Sequence, residues 1–121
     1  VQKARKTTAL KIAKQLGCIV VLKGHDTLIA SPEGTVRVNS SGNPGMAAGG
    51  MGDVLTGMIA ALIGQDLEPV VSATVGVHFH GLAGDLAARR VGEVSLTATD
   101  LIAQVPVVFK KAAKQQKLLP T

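Results

Sequence analysis

The sequence predicts an α/β fold, a mainly parallel sheet flanked by helices, on three observations. The short β-branched run Ile19-Val20-Val21-Leu22 is too apolar for a half-exposed strand and reads as one buried on both faces, the signature of a parallel sheet. Stretches with apolar residues at helical spacing precede and follow it. A composition of 46% apolar and 17% charged residues in 121 suffices for a buried core and excludes a disordered or coiled-coil chain. No repeat or linker interrupts the pattern, so residues 1–121 read as a single unit.

The first helix spans 3–16, where Ala4, Leu10, Ile12, Ala13 and Leu16 alternate with lysines, and Gly17 stands where a left-handed C-cap belongs. Cys18, opening the strand, reads as a small buried hydrophobe. As the only cysteine it excludes an internal disulfide or a cysteine pair, and points to a reducing compartment. Thr27–Ala30 and Thr35–Val38 read as a hairpin around Pro32-Glu33-Gly34. Residues 39–52 hold five glycines and form a long loop that feeds a helix from Asp53 to Ile63, stopped by Gly64. A second helix runs from Pro69 to Arg90, closed by Gly92; it is almost wholly apolar up to Phe79 and is expected to be buried. A third begins at Thr97–Asp100 and is expected to break at Pro106, which lacks an N–H.

The net charge of +5 resides at the ends: Lys3, Arg5, Lys6, Lys11 and Lys14, then Lys110, Lys111, Lys114 and Lys117, with no acid among either group. Solvated faces of two terminal helices are preferred to a footprint for a polyanion. Two Phe, no Tyr and no Trp argue against a reader of single-stranded nucleic acid. No stretch approaches the ~18 apolar residues of a membrane span, and no signal-peptide core is seen, so a cytoplasmic location is expected. The chain opens at Val1, inside a helix, and reads as a piece of something longer.

The chemistry is expected at Gly49-Gly50-Met51-Gly52-Asp53. Glycines let an anion approach the backbone, and unpaired amides at the positive end of a helix point at it. A carboxylate there opposes a purely anion-binding role but suits a general base beside a transferring phosphoryl group. Asp53 as an N-cap, with glycines that serve only the loop, is the alternative. Neither the Walker spacing nor a dinucleotide fingerprint is present. His78 and His80, two apart on one helix, read as core or interface residues and not as joint metal ligands; His25 stands in a turn open to nucleotide or solvent. Asp100 reads as a helix-start charge, so it and Asp85 are not taken as a catalytic pair. Met46, Met51 and Met58 read as packing residues.

The stretch from Asn39 to Gly57, NSSGNPGMAAGGMGDVLTG, resembles the signature of the ADP- or ATP-dependent NAD(P)H-hydrate dehydratases of the ribokinase-like superfamily. Val21-Leu22-Lys23-Gly24-His25-Asp26-Thr27-Leu28-Ile29 is similar to that family's V-L-K-G-x-x-T-x-I, and residues 77–85 and 97–102 are similar to its later helices. The likeness corresponds to the C-terminal part of the family's domain. It implies a ribokinase-like fold and a repair reaction: a hydroxyl on the hydrated nicotinamide ring is phosphorylated by ADP or ATP, and loss of phosphate regenerates NADH or NADPH. By this resemblance Asp53 is the base and a substrate contact, Asn43 a second substrate contact, and the amides around Gly50 and Gly52 the anion hole. Lys23, Gly24, His25, Asp26 and Thr27 lie along the nucleotide with Gly52, and Mg²⁺ is held largely by phosphates and water, with no protein metal site. Met51 departs from the Thr, Ser or Ala commoner in G-x-G-D, which removes a hydroxyl and leaves the amides intact. The buried-looking 70–82 helix and the missing half of the domain hint at a partner surface, so a homo-oligomer is expected in the full-length protein; the resemblance implies, in bacterial relatives, fusion to an epimerase domain. A vitamin-precursor kinase of the same superfamily and a noncatalytic nucleotide-binding module are the alternatives.

Overall fold

A computed structural model describes residues 2–118, with side chains through Gln115, so Val1 and the Lys117 side chain lie outside the described residues. The chain divides into two compact units, Val1–Ser40 with Ile59–His78, and Ser41–Met58 with Phe79–Thr121. In chain order the elements are α1 (Gln2–Leu16), β1 (Val20–Leu22), β2 (Leu28–Ala30), β3 (Val36–Val38), a short 3₁₀ turn (Pro44–Met46), α2 (Met51–Gly64), α3 (Pro69–Val91) and α4 (Ala98–Leu118).

In the first unit α1 buries only its alanine face, Ala9 and Ala13, against Ala30 of the sheet, with Leu10, Val20, Leu22 and Val36 around them. Small residues here let the helix axis approach the strands closely. The helix ends as its sequence predicts: Gly17 takes φ +63°, and Cys18 N–H donates to Ala13 O at 3.2 Å, closing a Schellman turn. Cys18 itself is exposed, contrary to the buried hydrophobe expected, because it belongs to that turn and precedes the strand.

The sheet corrects the expected pairing. All three strands are antiparallel in the order β1-β2-β3, with Val21 opposite Ile29 and Ile29 opposite Arg37. Residues 23–27 are too few for the crossover that parallel neighbours require. It is β2, not β1, that is buried throughout; Val20–Leu22 is half-buried. The β2–β3 turn is tied by Ser31, whose Oγ lies 2.6 Å from Thr35 Oγ1 and whose N–H donates to Thr35 O at 2.9 Å. The remainder of the unit is the end of α2 and the start of α3, where Gly76 lets Ile59 come close: a Cβ at 76 would lie 2.7 Å from Ile59 Cγ1.

In the second unit the start of α2 packs with the rest of α3 and with α4. Met51, Ala83, Ala87, Leu96, Leu101 and Val108 form its core, and Phe79 meets Phe109 edge-on at 4.9 Å between ring centroids. α3 does not bury its whole circumference as expected: His78 and Val71 are exposed while positions 72, 73, 76, 77, 80, 81, 83 and 84 are buried, one helical face. α4 runs unbroken through Pro106, correcting the predicted interruption. The carbonyl that the proline leaves without its helical partner is that of Ile102, on the exposed side of the helix. Thr97 and Asp100 cap this helix reciprocally: Thr97 N–H and Oγ1 donate to Asp100 Oδ2 at 3.0 and 2.7 Å, and Asp100 N–H donates to Thr97 Oγ1 at 3.3 Å. Among the described residues no helix is long and apolar enough to cross a membrane.

Candidate functional site

The second unit contains the loop that the sequence singles out. α2 begins at Met51, two residues before the predicted Asp53, because Gly50 at φ +89° turns the chain and its carbonyl accepts the first helical bond, from Val54 N–H at 3.1 Å. Gly50 is therefore the N-cap, and Asp53 is the third residue of the helix. The first-turn amides have no carbonyl one turn earlier inside the helix. That of Met51 reaches Ala48 O at 3.4 Å, and those of Gly52 and Asp53 emerge at the positive end. The Asp53 side chain is exposed beside them.

Two contacts fix this turn. Buried His80, on α3, places Nε2 3.0 Å from Met51 O, so that nitrogen carries the proton and donates to the carbonyl. A Cβ at Gly50 would stand 3.2 Å from Ala98 Cβ, a second reason for glycine there. Upstream, Asn43 caps the 3₁₀ turn with its Oδ1, which accepts from Gly45 N–H at 3.0 Å, while its Nδ2 donates to Asp85 Oδ1 at 2.9 Å. Asp85 Oδ2 accepts from Gly42 N–H at 3.1 Å. The amide of Asn43, expected to touch substrate, is thus engaged within the protein at both ends.

α3 approaches this loop so closely that Gly81 is obligatory, and at Gly84 an added Cβ would displace the Met46 side chain. A Cβ at Gly81 would lie 2.8 Å from Ser41 C, and one at Gly84 would lie 2.8 Å from Met46 Cγ. Neither glycine, nor the Asp85 and His80 contacts, follows from helical spacing, since each partner is distant in sequence.

In the first unit Lys23–Thr27 forms the β1–β2 turn. Lys23, Gly24 and His25 are exposed, and His25 Nε2 lies 3.8 Å from Asp26 Oδ2. Thr27 Oγ1 donates to Gly24 O at 3.1 Å. The same unit has an open cleft of about 260 Å³ lined by Ile29, Arg37, Val38, Asn39, Ser40, Thr74 and His78. His78 Nδ1 is 3.2 Å from Asn39 Oδ1 there. Among the described residues no group of three or more His, Cys, Asp or Glu side chains is placed to hold a metal ion.

The pattern of one family, described as NAD(P)H-hydrate dehydratase, matches residues 1–107, a span that includes the glycine-rich turn and Asp53. The chain belongs to that family. It is 45% identical over 115 residues to the bifunctional NAD(P)H-hydrate repair enzyme Nnr of Moorella thermoacetica, covering 95% of this chain and 22% of the relative. To the ADP-dependent (S)-NAD(P)H-hydrate dehydratase of Neisseria meningitidis it is 44% identical over 92 residues, 76% of this chain and 31% of that protein. Among solved structures, the ADP/ATP-dependent NAD(P)H-hydrate dehydratase of Bacillus subtilis, co-crystallized with ATP/Mg²⁺, superposes with a TM-score of 0.85 at 36% identity, over 91% of this chain and 40% of that one. A ribokinase-like superfamily protein of Enterococcus faecalis gives a TM-score of 0.74 at 35% identity, over 84% of this chain and 35% of that one. The dehydratase family and its ribokinase-like α/β fold are thereby established for a chain that spans about a fifth of the bifunctional Nnr relatives.

Proposed function

We propose that these residues form part of an enzyme that uses ADP to dehydrate hydrated NAD(P)H back to NAD(P)H. The observation that carries the reading is the exposed carboxylate of Asp53 in the first turn of α2, beside the emergent amides of Gly52 and Asp53. Asp53 takes the proton from the hydroxyl of the hydrated nicotinamide ring as that oxygen attacks the terminal phosphorus of ADP, and AMP departs. The amides around Gly50 and Gly52 stabilise the charge on the transferred group. The C–O bond then breaks with its electron pair leaving on phosphate, and loss of a ring proton restores the dihydropyridine. Phosphorylation turns a poor leaving group, hydroxide, into a good one.

Lys23, Gly24, His25, Asp26 and Thr27 are assigned to the nucleotide. Asn43 shapes the loop and is assigned to the substrate as well, since its amide keeps a second N–H and a second lone pair. Mg²⁺ is assigned to the nucleotide's own phosphates and water, and no step is drawn through it. A cytoplasmic homo-oligomer is the setting proposed for the full-length protein, with Val71 of α3, 41% exposed, as an apolar position available to a partner.

The test is recovery of NADH from its hydrate by the full natural protein with ADP or with ATP. Appearance of NADH with one phosphate released per turnover supports the dehydratase. A phosphorylated alcohol accumulating without NADH, from a vitamin precursor, supports the kinase alternative instead.

A further inference from the structure

Arg5 of α1 reaches across the first unit to the turn between β1 and β2 and donates to four of its main-chain carbonyls. Nη1 lies 2.9 Å from His25 O and 3.4 Å from Asp26 O, while Nη2 lies 3.3 Å from Leu22 O and 3.4 Å from Lys23 O. Gln2 Oε1 takes a further bond from Nη1 at 3.2 Å. We infer that Arg5 is the positioning residue of the nucleotide-binding turn, an inference that rests on assigning Lys23–Thr27 to the nucleotide.

The physical reason is the geometry of the peptide unit. In a trans peptide the carbonyl of one residue points opposite to the N–H of the next, and the described chain has no cis bonds. Carbonyls of Leu22, Lys23, His25 and Asp26 converging on Arg5 therefore turn the N–H groups of Lys23, Gly24, Asp26 and Thr27 to the opposite face. Several amides on one face of a turn make a concavity suited to phosphate or ribose oxygens. Without the guanidinium, four carbonyl dipoles would face one another and the turn would relax. Recognition by this segment then belongs to its main chain, and the exposed Lys23 side chain is secondary.

Two backbone features agree. Gly24 has φ +150°, a backbone conformation that favours glycine, and a Cβ there would stand 3.0 Å from Arg5 Nη2, so the turn passes close to the guanidinium. Asp26 takes φ +57°, which gives the turn its second reversal. Lysine cannot substitute, because one ammonium offers its donors from a single point and cannot span two pairs of carbonyls.

The experiment measures ADP binding by calorimetry, and nucleotide KM and kcat, in the full natural protein and its Arg5→Lys and Arg5→Gln variants. The expected result is a rise of about tenfold in ADP Kd and nucleotide KM in both variants, with kcat at saturating ADP within about twofold of the natural value. Amide exchange accelerates at 22–27 while β2 keeps its protection. Unchanged Kd and unchanged exchange in a folded variant overturn the inference. If the Arg5 variants do not fold, amide exchange of the natural protein is compared with and without ADP: slowing at Lys23, Gly24, Asp26 and Thr27, the amides that face away from Arg5, supports the inference, and unchanged exchange there overturns it. A natural protein that binds neither ADP nor ATP overturns the nucleotide assignment itself, and is told apart from the first failure by that control.

Discussion

Asp85 of α3 accepts from Asn43 Nδ2 at 2.9 Å, and with its other oxygen from Gly42 N–H at 3.1 Å, so one carboxylate holds two consecutive residues of the loop leading to α2. The bond pattern leaves the loop little freedom between Gly42 and the 3₁₀ turn. Asp85→Ala removes both acceptors, leaves the exposed Gly42 N–H to water and the half-buried Asn43 amide without its partner, and is expected to cost about 0.5–1.5 kcal/mol. Denaturant unfolding checks the loss, and Asp85→Asn, which keeps one acceptor, is expected to lose less.

The helical glycines divide into two kinds. Gly81→Ala drives a Cβ into Ser41 at 2.8 Å from its carbonyl carbon, where backbone must move, and is expected to destabilise by about 1–3 kcal/mol. Gly57→Ala, in α2 with open space around the added carbon, is expected to stabilise by about 0.5–1 kcal/mol. Thermal melts of the two variants should move in opposite directions.

Pro106 sits inside an unbroken α4 at an exposed position. Pro106→Ala restores the N–H facing Ile102 O and removes the ring, so the variant is expected to gain up to about 3 kcal/mol, read as a rise in the melting temperature. A fall would mean that the ring makes a packing contribution larger than the helix penalty.

The Asp100 carboxyl is held below its ordinary 3.8 by its hydrogen bonds to the Thr97 hydroxyl and then to the Thr97 main chain. A carboxylate with a depressed folded-state pKa contributes stability that is complete above its unfolded value and lost as pH falls through the folded one. The natural chain should therefore melt higher than Asp100→Asn near pH 5, and that gap should close as pH falls below 3.8. A gap that is constant across this window would assign the cap to shape and not to charge.

Local signals were legible in the sequence, and contacts distant along the chain were not. Gly17 and Gly92 end their helices with φ of +63° and +81°, as a C-cap glycine dictates. The glycine loop, the helix after it and Asp53 in its first turn could be read directly, because the signal and its consequence are adjacent residues. The run 19–22 misled about pairing and burial, since an apolar β-branched stretch cannot state which neighbour it will have. Asp85, His80 and Arg5 are not singled out by the sequence for the contacts they make, because these partners lie 17 or more positions away. Asn43 is assigned to substrate from the motif, and its amide bonds to Gly45 and Asp85 are not legible there.

The central claim is that Asp53 performs chemistry and the neighbouring amides hold phosphate. The most direct measurement compares kcat and ADP Kd in the full natural protein and in Asp53→Asn, which keeps the size of the side chain and removes its basicity. The account predicts that kcat falls by at least about 100-fold while ADP Kd stays within about twofold. Turnover equal to the natural protein's would contradict it, and would leave the loop as a nucleotide-holding turn with the base elsewhere.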